Sequence, residues 1–311
     1  MSNLHFLEGF YVITVISNVY RYKIRYELYH TFQQYIEQSG VKLLTVELAF
    51  GDREFEVTHK SNSLNVQLRT NCELWHKENL VNIGISHLPP DARYVAWIDA
   101  DVQFTRPDWA IETVHQLQHH RIVQMWNNCV DLGPKHEALD TFTSFAKCFT
   151  DGLPMKATWD KDYTFPHPGF AWAARLDFLK QMGGLIDFAI LGSADAHMCW
   201  ALLGRVSDSF HGYIHQSYKN ACLEWQKKAM KFGQFDIGVV DTSMFHFWHG
   251  KKKDRKYVER WEILVKNNFN LVTDIIKDGC GLYKLKDECI SLKNDIRKYF
   301  KQRNEDSIDL N

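Results

Sequence analysis

Long apolar runs are missing from this 311-residue chain: nothing approaches 18 consecutive apolar positions, so no membrane-spanning helix is expected. The apolar stretch Phe10 to Ile16 is only strand-length and follows no basic segment, so a secretory signal peptide is not expected either. The seven cysteines, Cys72, Cys129, Cys148, Cys199, Cys222, Cys280 and Cys289, are scattered, odd in number and without a C-x-x-C pair. That pattern argues against a structural zinc site and fits a reducing compartment, so a soluble protein of the cytoplasm is the expectation. Neither charge sign dominates, with 37 Lys and Arg against 38 Asp and Glu and a net charge of -1. A nucleic-acid partner, which needs a basic surface to neutralise phosphates, is therefore not expected. No glycine-rich phosphate loop of the G-x-G-x-x-G type follows Ser17.

What is present suits one large globular domain, or one domain with an appendage: 45% apolar and 24% charged residues are ordinary for such a chain. Aromatics are plentiful, with 20 Phe, 13 Tyr and 10 Trp. They fill a core by default and stack on sugar rings or bases where a site exposes them.

The first hundred residues alternate strand and helix signals. Tyr11 to Ser17 (YVITVIS) is a β-branched run of the kind found in buried parallel strands. Tyr22 to Gln38 carries Ile24, Leu28, Phe32, Tyr35 and Ile36 at helical spacing. Val41 to Glu47 and Leu64 to Leu68 read as strands, Glu73 to Leu88 as a helix, and Tyr94 to Ile98 as a strand ending in Asp99. Such alternation builds a mostly parallel sheet flanked by helices, with ligands bound beyond the carboxyl ends of the strands. Active groups are expected after Ser17, Glu47 and Ile98. Farther on, Trp109 to His119 reads as a helix and Ile122 to Trp126 as a strand. Asn127 to Phe165 is expected to form long substrate-binding loops. Leu176 to Met182 and Asp195 to Leu203 read as helices, Ile237 to Phe247 as a strand, and Tyr257 to Phe269 and Leu285 to Phe300 as amphipathic helices.

Four constellations carry chemistry. The first is Asp99-Ala100-Asp101, directly after a strand. Residues two apart on an extended chain share a face, and two carboxylates about 5 Å apart repel by roughly 3 kcal/mol at an effective dielectric near 20. A divalent cation, Mn2+ or Mg2+, removes that cost and adds attraction for a diphosphate. A second D-x-D at Asp160 and Asp162 has no buried strand before it, so position favours the first pair. The second constellation is Met244 to Gly250, holding His246 and His249, followed by Lys251, Lys252 and Lys253. The imidazoles can complete a metal site with Asp101 if the chain turns at Gly250, or be structural; the lysines can face a departing diphosphate, or simply solvent.

The third is Gly192-Ser193-Ala194-Asp195, opening a helix. Ser193 or Asp195 can cap that helix, or Asp195 can serve as a general base, and the sequence leaves these readings even. The fourth is Pro166-His167-Pro168-Gly169-Phe170-Ala171-Trp172, a tight backbone that either admits a ligand or feeds a core strand.

In order along the chain these pieces resemble the GT-A fold glycosyltransferases, above all the β-1,4-galactosyltransferase group and family-2-like enzymes. The stretch that carries the likeness runs from Trp75 through Lys77, Asn82 and Gly84 into the strand Tyr94 to Ile98 and Asp99-Ala100-Asp101. His167 to Trp172, then Gly183-Gly184 and Gly192 to Asp195, follow in the same order, and the likeness covers about residues 10 to 255. The resemblance implies a Rossmann-like α/β domain over 1–253, with a nucleotide-binding half to 101, and leaves 254–311 as a C-terminal helical extension.

It implies a nucleotide-sugar donor, UDP above other nucleotides, a glycan or other hydroxyl acceptor, and a Mn2+ (or Mg2+) cofactor. Asp101, His249 and His246 would hold the metal, with Asp99 close to the ribose or to a water. Asn18, Arg21, Glu47, Lys77, Asn82, Lys251 and Lys252 would lie on the donor side. His167, Phe170, Trp172 and Gly192 would lie on the acceptor side, with Asp195 as the base of an inverting transfer. A retaining transferase, a nucleotidyltransferase and a non-catalytic sugar- or nucleotide-binding module are the alternatives.

Overall fold

The computed structural model describes residues 6–158, 161–162, 164–233 and 235–310. Asp160, the first acid of the second D-x-D, lies outside the described residues. The chain begins with β1 (Phe10–Ser17), α1 (Lys23–Gln38), β2 (Lys42–Phe50), β3 (Asn65–Thr70), α2 (Lys77–Ser86) and β4 (Tyr94–Ile98). It continues through β5 (Val102–Phe104), α3 (Trp109–His119), β6 (Ile122–Gln124), β7 (Asn128–Leu132), β8 (Ala138–Thr143), α4 (Phe145–Thr150) and β9 (Ala171–Arg175). Next come α5 (Leu176–Met182), α6 (Ala194–Leu202), α7 (Gln216–Phe232), β10 (Ile237–Val239) and β11 (Ser243–His246). The last elements are α8 (Arg260–Lys266), β12 (Ile275–Lys277), β13 (Tyr283–Leu285) and α9 (Ile290–Gln302).

Seven strands form one sheet in the order β10-β6-β9-β4-β1-β2-β3. All neighbours are parallel except β9, which runs antiparallel to both β4 and β6. β1 is buried along nearly its whole length because helices cover both faces of the sheet, which is why its sequence is β-branched without polar alternation. α1 buries Tyr29, Phe32 and Ile36, an i, i+3, i+7 stripe, against that sheet. α1 has no capping side chain of its own. The carboxylate of Asp306, from the far end of the chain, accepts from the backbone N–H groups of Lys23 (3.0 Å) and Ile24 (2.9 Å) instead.

A smaller four-stranded sheet, in the order β5-β11-β7-β8, stands beyond the carboxyl end of β4. Here the structure departs from the sequence reading. Ile237 to Phe247 is not one strand but two, in different sheets. Val240 N–H still bonds to Gln124 O of the large sheet at 3.0 Å, whereas Thr242 O accepts from Asn127 N–H at 2.8 Å and Ser243 begins the small sheet. The segment expected to be loops holds β7, β8 and α4.

Helix α7, which the sequence reading passed over, buries Tyr218, Cys222, Trp225 and Ala229 at i, i+4, i+7 and i+11. The segment after residue 253 is not purely helical, since β12 and β13 pair as a hairpin. Its Leu264, Phe269, Ile296 and Tyr299 share one continuous core with Leu44, Val46 and Leu80 of the first half. No helix among the described residues is long and apolar enough to cross a membrane.

Candidate metal centre and cleft

Backbone register assembles the centre. β4 ends at Ile98, and the chain passes Asp99-Ala100-Asp101 into β5. β5 runs antiparallel to β11 with Val102 opposite His246, and Phe247 N–H donates to Asp101 O at 2.8 Å. β11 also runs parallel to β7, which places Asp131 beside His246. One short strand thus holds a histidine between two carboxylates drawn from distant parts of the sequence. Three residues later His249 swings back to the same point, and the chain turns at Gly250, whose φ is +84°.

The ligand atoms of Asp101, His246 and His249, all buried, lie within 4.8 Å of one another. His249 Nε2 stands 3.1 Å from Asp101 Oδ2 and 3.3 Å from His246 Nε2, while His246 Nε2 is 4.0 Å from Asp101 Oδ1. Burial pushes the His246 imidazole below its ordinary pKa, outweighing the Asp131 hydrogen bond and Asp101, so the ring is neutral near pH 7. Its Nδ1 lies 2.6 Å from Asp131 Oδ1, an arrangement that assigns the proton to Nδ1 and leaves the Nε2 lone pair facing His249 and Asp101. Burial alone would raise Asp131, but the hydrogen bonds from His246 and Lys252 bring it down to about 2. Lys252 Nζ is 2.8 Å from Asp131 Oδ2.

Asp101 is likewise pushed up by burial, and His249, His246 and Arg25 more than reverse this, holding it well below the usual carboxylate range. Its Oδ1 is buried with no hydrogen-bond partner. A buried anionic oxygen without a donor is costly. The donor set of one carboxylate and two imidazoles therefore fits a divalent ion, and imidazole suits Mn2+ better than Mg2+.

A brace surrounds this centre that the sequence reading did not anticipate. Arg25, in the first turn of α1, donates to Asp101 Oδ2 at 3.1 Å. Glu305 Oε2 lies 3.5 Å from Arg25 Nε and 3.6 Å from His249 Nδ1, while Arg303 Nε donates to Glu305 Oε1 at 2.5 Å. Arg255 Nη2 is 3.1 Å from His249 Nε2. A Cβ on Gly250 would stand 2.8 Å from Glu305 Cα and 2.9 Å from Asn304 O, so the close approach of the tail requires glycine. Only the spacing around His246 hinted at any of this; Glu305 sits in a polar tail with no motif.

The centre opens on a cleft of about 700 Å³ beyond the carboxyl ends of β1 and β4. Asn18, Lys77, Asp99, His167, Phe170, Gly192, Asp195 and Lys252 line it with the three ligands. Asp99 is not part of the three-residue cluster; its Oδ1 lies 2.5 Å from Lys77 Nζ. Burial raises the Asp99 carboxyl, opposed by Lys77 and reinforced by Asp101. Asp195 occupies the first turn of α6, where its Oδ1 accepts from Ala196 N–H at 2.8 Å. His167 stacks on Phe170 with 4.3 Å between ring centroids, and Phe170 packs on His246 at 4.7 Å, so these rings form a wall continuous with the centre. Burial, then the neighbouring His246, lowers His167 to about 3 and keeps it neutral.

Other sequence candidates lie elsewhere. Asn82 exchanges two hydrogen bonds with the Leu185 backbone, at 2.8 and 3.0 Å, and does not line the cleft. Trp172 is buried in β9 with its Nε1 donating to Pro168 O at 2.7 Å. Lys251 is outside the lining as well. Arg21 and Glu47 line a small neighbouring depression, shared with Asn18, where Arg21 pairs with Glu56. Both oxygens of Glu47 are engaged: they accept from the N–H groups of Glu56 (2.6 Å), Val57 (3.1 Å) and Thr58 (2.9 Å) and from Thr58 Oγ1 (2.6 Å).

No protein-family model and no curated protein matches the sequence. Among solved structures, the chain is similar to Drosophila β1,4-galactosyltransferase 7 in complex with manganese, UDP-Gal and xylobiose, at 10% identity over 91% of this chain and 98% of that one, with a TM-score of 0.42. It is similar to mannosyl-3-phosphoglycerate synthase from Rubrobacter xylanophilus at 13% identity, over 90% of this chain and 85% of that one, with a TM-score of 0.41. It is also similar to 4-diphosphocytidyl-2C-methyl-D-erythritol synthase from Anaerococcus prevotii at 10% identity, over 78% and 90% of the two chains, with a TM-score of 0.35. All three scores lie below 0.5.

Proposed function

We propose that the chain is a divalent-metal-dependent glycosyltransferase that moves a sugar from a UDP-sugar to a hydroxyl acceptor with inversion at the anomeric carbon. The observation that carries this reading is the buried Asp101-His246-His249 cluster with its unpartnered Asp101 Oδ1, opening on a cleft that also holds Asp195. Asp101, His246 and His249 would hold Mn2+, or Mg2+ less favourably, and the bound ion supplies charge neutralisation for the diphosphate. Asp131 orients His246, and such outer carboxylates commonly set both ring orientation and ligand basicity. Arg255 and Lys252 add positive charge on the diphosphate side, where the leaving group gains its electrons.

Asp195 is the base. As the acceptor oxygen bonds to the anomeric carbon, its proton passes to the Asp195 carboxylate. The bond from that carbon to the diphosphate oxygen breaks on the opposite face, and the diphosphate leaves with the electron pair. A positioned base of this kind contributes roughly 10²–10⁴ in rate. The His167-Phe170 wall and Gly192 lie on the acceptor side, and Asp99 with Lys77 on the ribose side.

Calorimetric binding of UDP, GDP, CMP and UDP-sugars, with Mn2+, Mg2+ or chelator, tests the reading. Tight binding of one diphosphate that disappears with chelator supports it and names the nucleotide. Absence of binding to every diphosphate in the presence of metal sinks it. The anomeric configuration of the product separates an inverting from a retaining enzyme, and a donor bound without turnover would indicate a binding module.

A further inference from the structure

Most cations around the cleft have a carboxylate partner. Lys77 has Asp99, Lys252 has Asp131, Arg25 has Asp101 and Glu305, and Arg303 has Glu305. Two buried arginines do not. Arg255 and Arg260 are 7% and 8% exposed, and neither makes an ion pair with an acid among the described residues. A buried guanidinium without counter-charge is strongly disfavoured. The two stand on either side of Tyr257, whose hydroxyl accepts from Arg255 Nη1 at 3.2 Å and whose ring lies 5.1 Å from the Arg260 guanidinium carbon, and they differ in what else they touch. Arg255 touches the metal ligand His249 and has a buried Nε without a partner, so the donor diphosphate accounts for it. Arg260 touches Gly192 and Ser193 at the start of α6 and none of the three candidate ligands, so a diphosphate held at those ligands does not by itself account for it.

The local backbone is shaped around Arg260. Gly192 has φ +91°, and a Cβ there would come within 2.8 Å of Arg260 Nη1, so only glycine lets the guanidinium lie on the chain. Ser193 adopts φ +79° and makes no capping hydrogen bond; its hydroxyl accepts from Arg260 Nη2 at 2.7 Å. Tyr257 packs its ring 5.1 Å from the guanidinium carbon on the other side. The first turn of the nine-residue α6, with its positive dipole end, meets Arg260 at this point. The uncompensated charge is felt by a neighbour. Burial first and Arg260 second push His197 down to about 3.

We propose that Arg260, with Ser193 and the start of α6, forms an anion subsite for the acceptor, so that the acceptor is a sugar or polyol bearing a phosphate or carboxylate. This rests on the transferase reading above. Asp195 lies two residues from Ser193 and lines the same cleft, so an acceptor held by its anion at Arg260 presents a nearby hydroxyl to the base. Trp261 and Tyr257, which also line the cleft, flank Arg260 with aromatic faces suited to a sugar ring. The planar fork of arginine recognises either oxyanion, so the chemistry they share is a pair of anionic oxygens.

The test uses the full chain saturated with UDP and Mn2+, so that the diphosphate side is filled. Failure of UDP to bind with metal is read before any anion is added; it overturns the transferase reading and this proposal with it. Glucose 6-phosphate, glucuronate and methyl glucoside are then titrated calorimetrically. The expected result is at least tenfold tighter binding of one anionic probe than of the neutral glucoside, the preferred probe telling phosphate from carboxylate. Arg260→Met is expected to bring that probe to the glucoside's level while UDP affinity in Mn2+ stays within twofold, and Arg260→Lys to recover part of the loss. Equal binding of neutral and anionic probes by the wild-type chain overturns the proposal, whether or not the variants fold. So does undetectable binding of both anions at millimolar concentration, or anion affinity unchanged in a folded Arg260→Met protein.

Discussion

Two buried carboxylates lie toward the carboxyl ends of strands separated only by β1. Glu47 lies on β2, and Asp101 lies three residues past the end of β4. Both are almost fully removed from water, at 3% and 6% exposure. Their surroundings divide them. Glu47 spends its lone pairs on three backbone N–H groups and a threonine hydroxyl, and so pins residues 56–58 onto the sheet. Asp101 meets two imidazoles and an arginine and keeps one oxygen without a donor. A buried acid saturated by backbone amides is a fastener. One left with an acceptor without a donor among other ligating groups has the chemistry to hold a cation.

The comparison can be broken in four ways, from the largest expected effect to the smallest. Asp101→Ala is expected to abolish metal-dependent UDP binding and transfer, with the fold retained by circular dichroism; surviving metal-dependent binding would erase the distinction from Glu47. Asp195→Asn introduces a third kind of carboxylate, one that acts on a proton. It is expected to slow transfer by roughly 10²-fold or more while UDP affinity stays near normal; equal losses in binding and rate would make it a helix cap instead. Glu47→Gln is expected to lower unfolding free energy by about 2 kcal/mol in denaturant titration, because an amide cannot serve all those donors, and to leave UDP affinity unchanged. A fall in UDP affinity in the folded variant would move Glu47 to the donor side. Glu305→Gln is expected to weaken Mn2+ affinity by about tenfold, measured by calorimetry, through loss of support for His249 and Arg25; unaltered affinity would reduce the tail to packing.

The distinction between the two acids was only half legible in the sequence. The strand before Asp99-Ala100-Asp101 and the turn promised by Gly250 were visible, so Asp101, His246 and His249 could be grouped by position. Glu47 looked like an equally good donor-site residue because the end of a parallel strand is where ligands bind. Its hydrogen bonds come from a loop that carries no periodic signal. Asn82 and Trp172 gave no sign in the sequence that their polar atoms are taken by the backbone of Leu185 and Pro168. Asp131 was hidden because β7 lies in a stretch whose polarity read as loop, and β-pairing with a distant strand leaves no local trace. Arg25, Arg255, Arg260 and Glu305 converge only through tertiary packing. Helix α7 is the one omission that its own spacing of buried residues would have repaired.

The approach of Glu305 and Asp306 to Gly250 and α1 bears on how the protein comes into being. Every strand of the seven- and four-stranded sheets lies before residue 247, while the carboxylates that brace His249 and cap α1 come from residues 305 and 306. During synthesis the three candidate ligands are therefore made well before the carboxylates that brace His249 and cap α1. A chain clipped before residue 303 would keep every strand of the seven- and four-stranded sheets and leave His249 without the Glu305 carboxylate beside it.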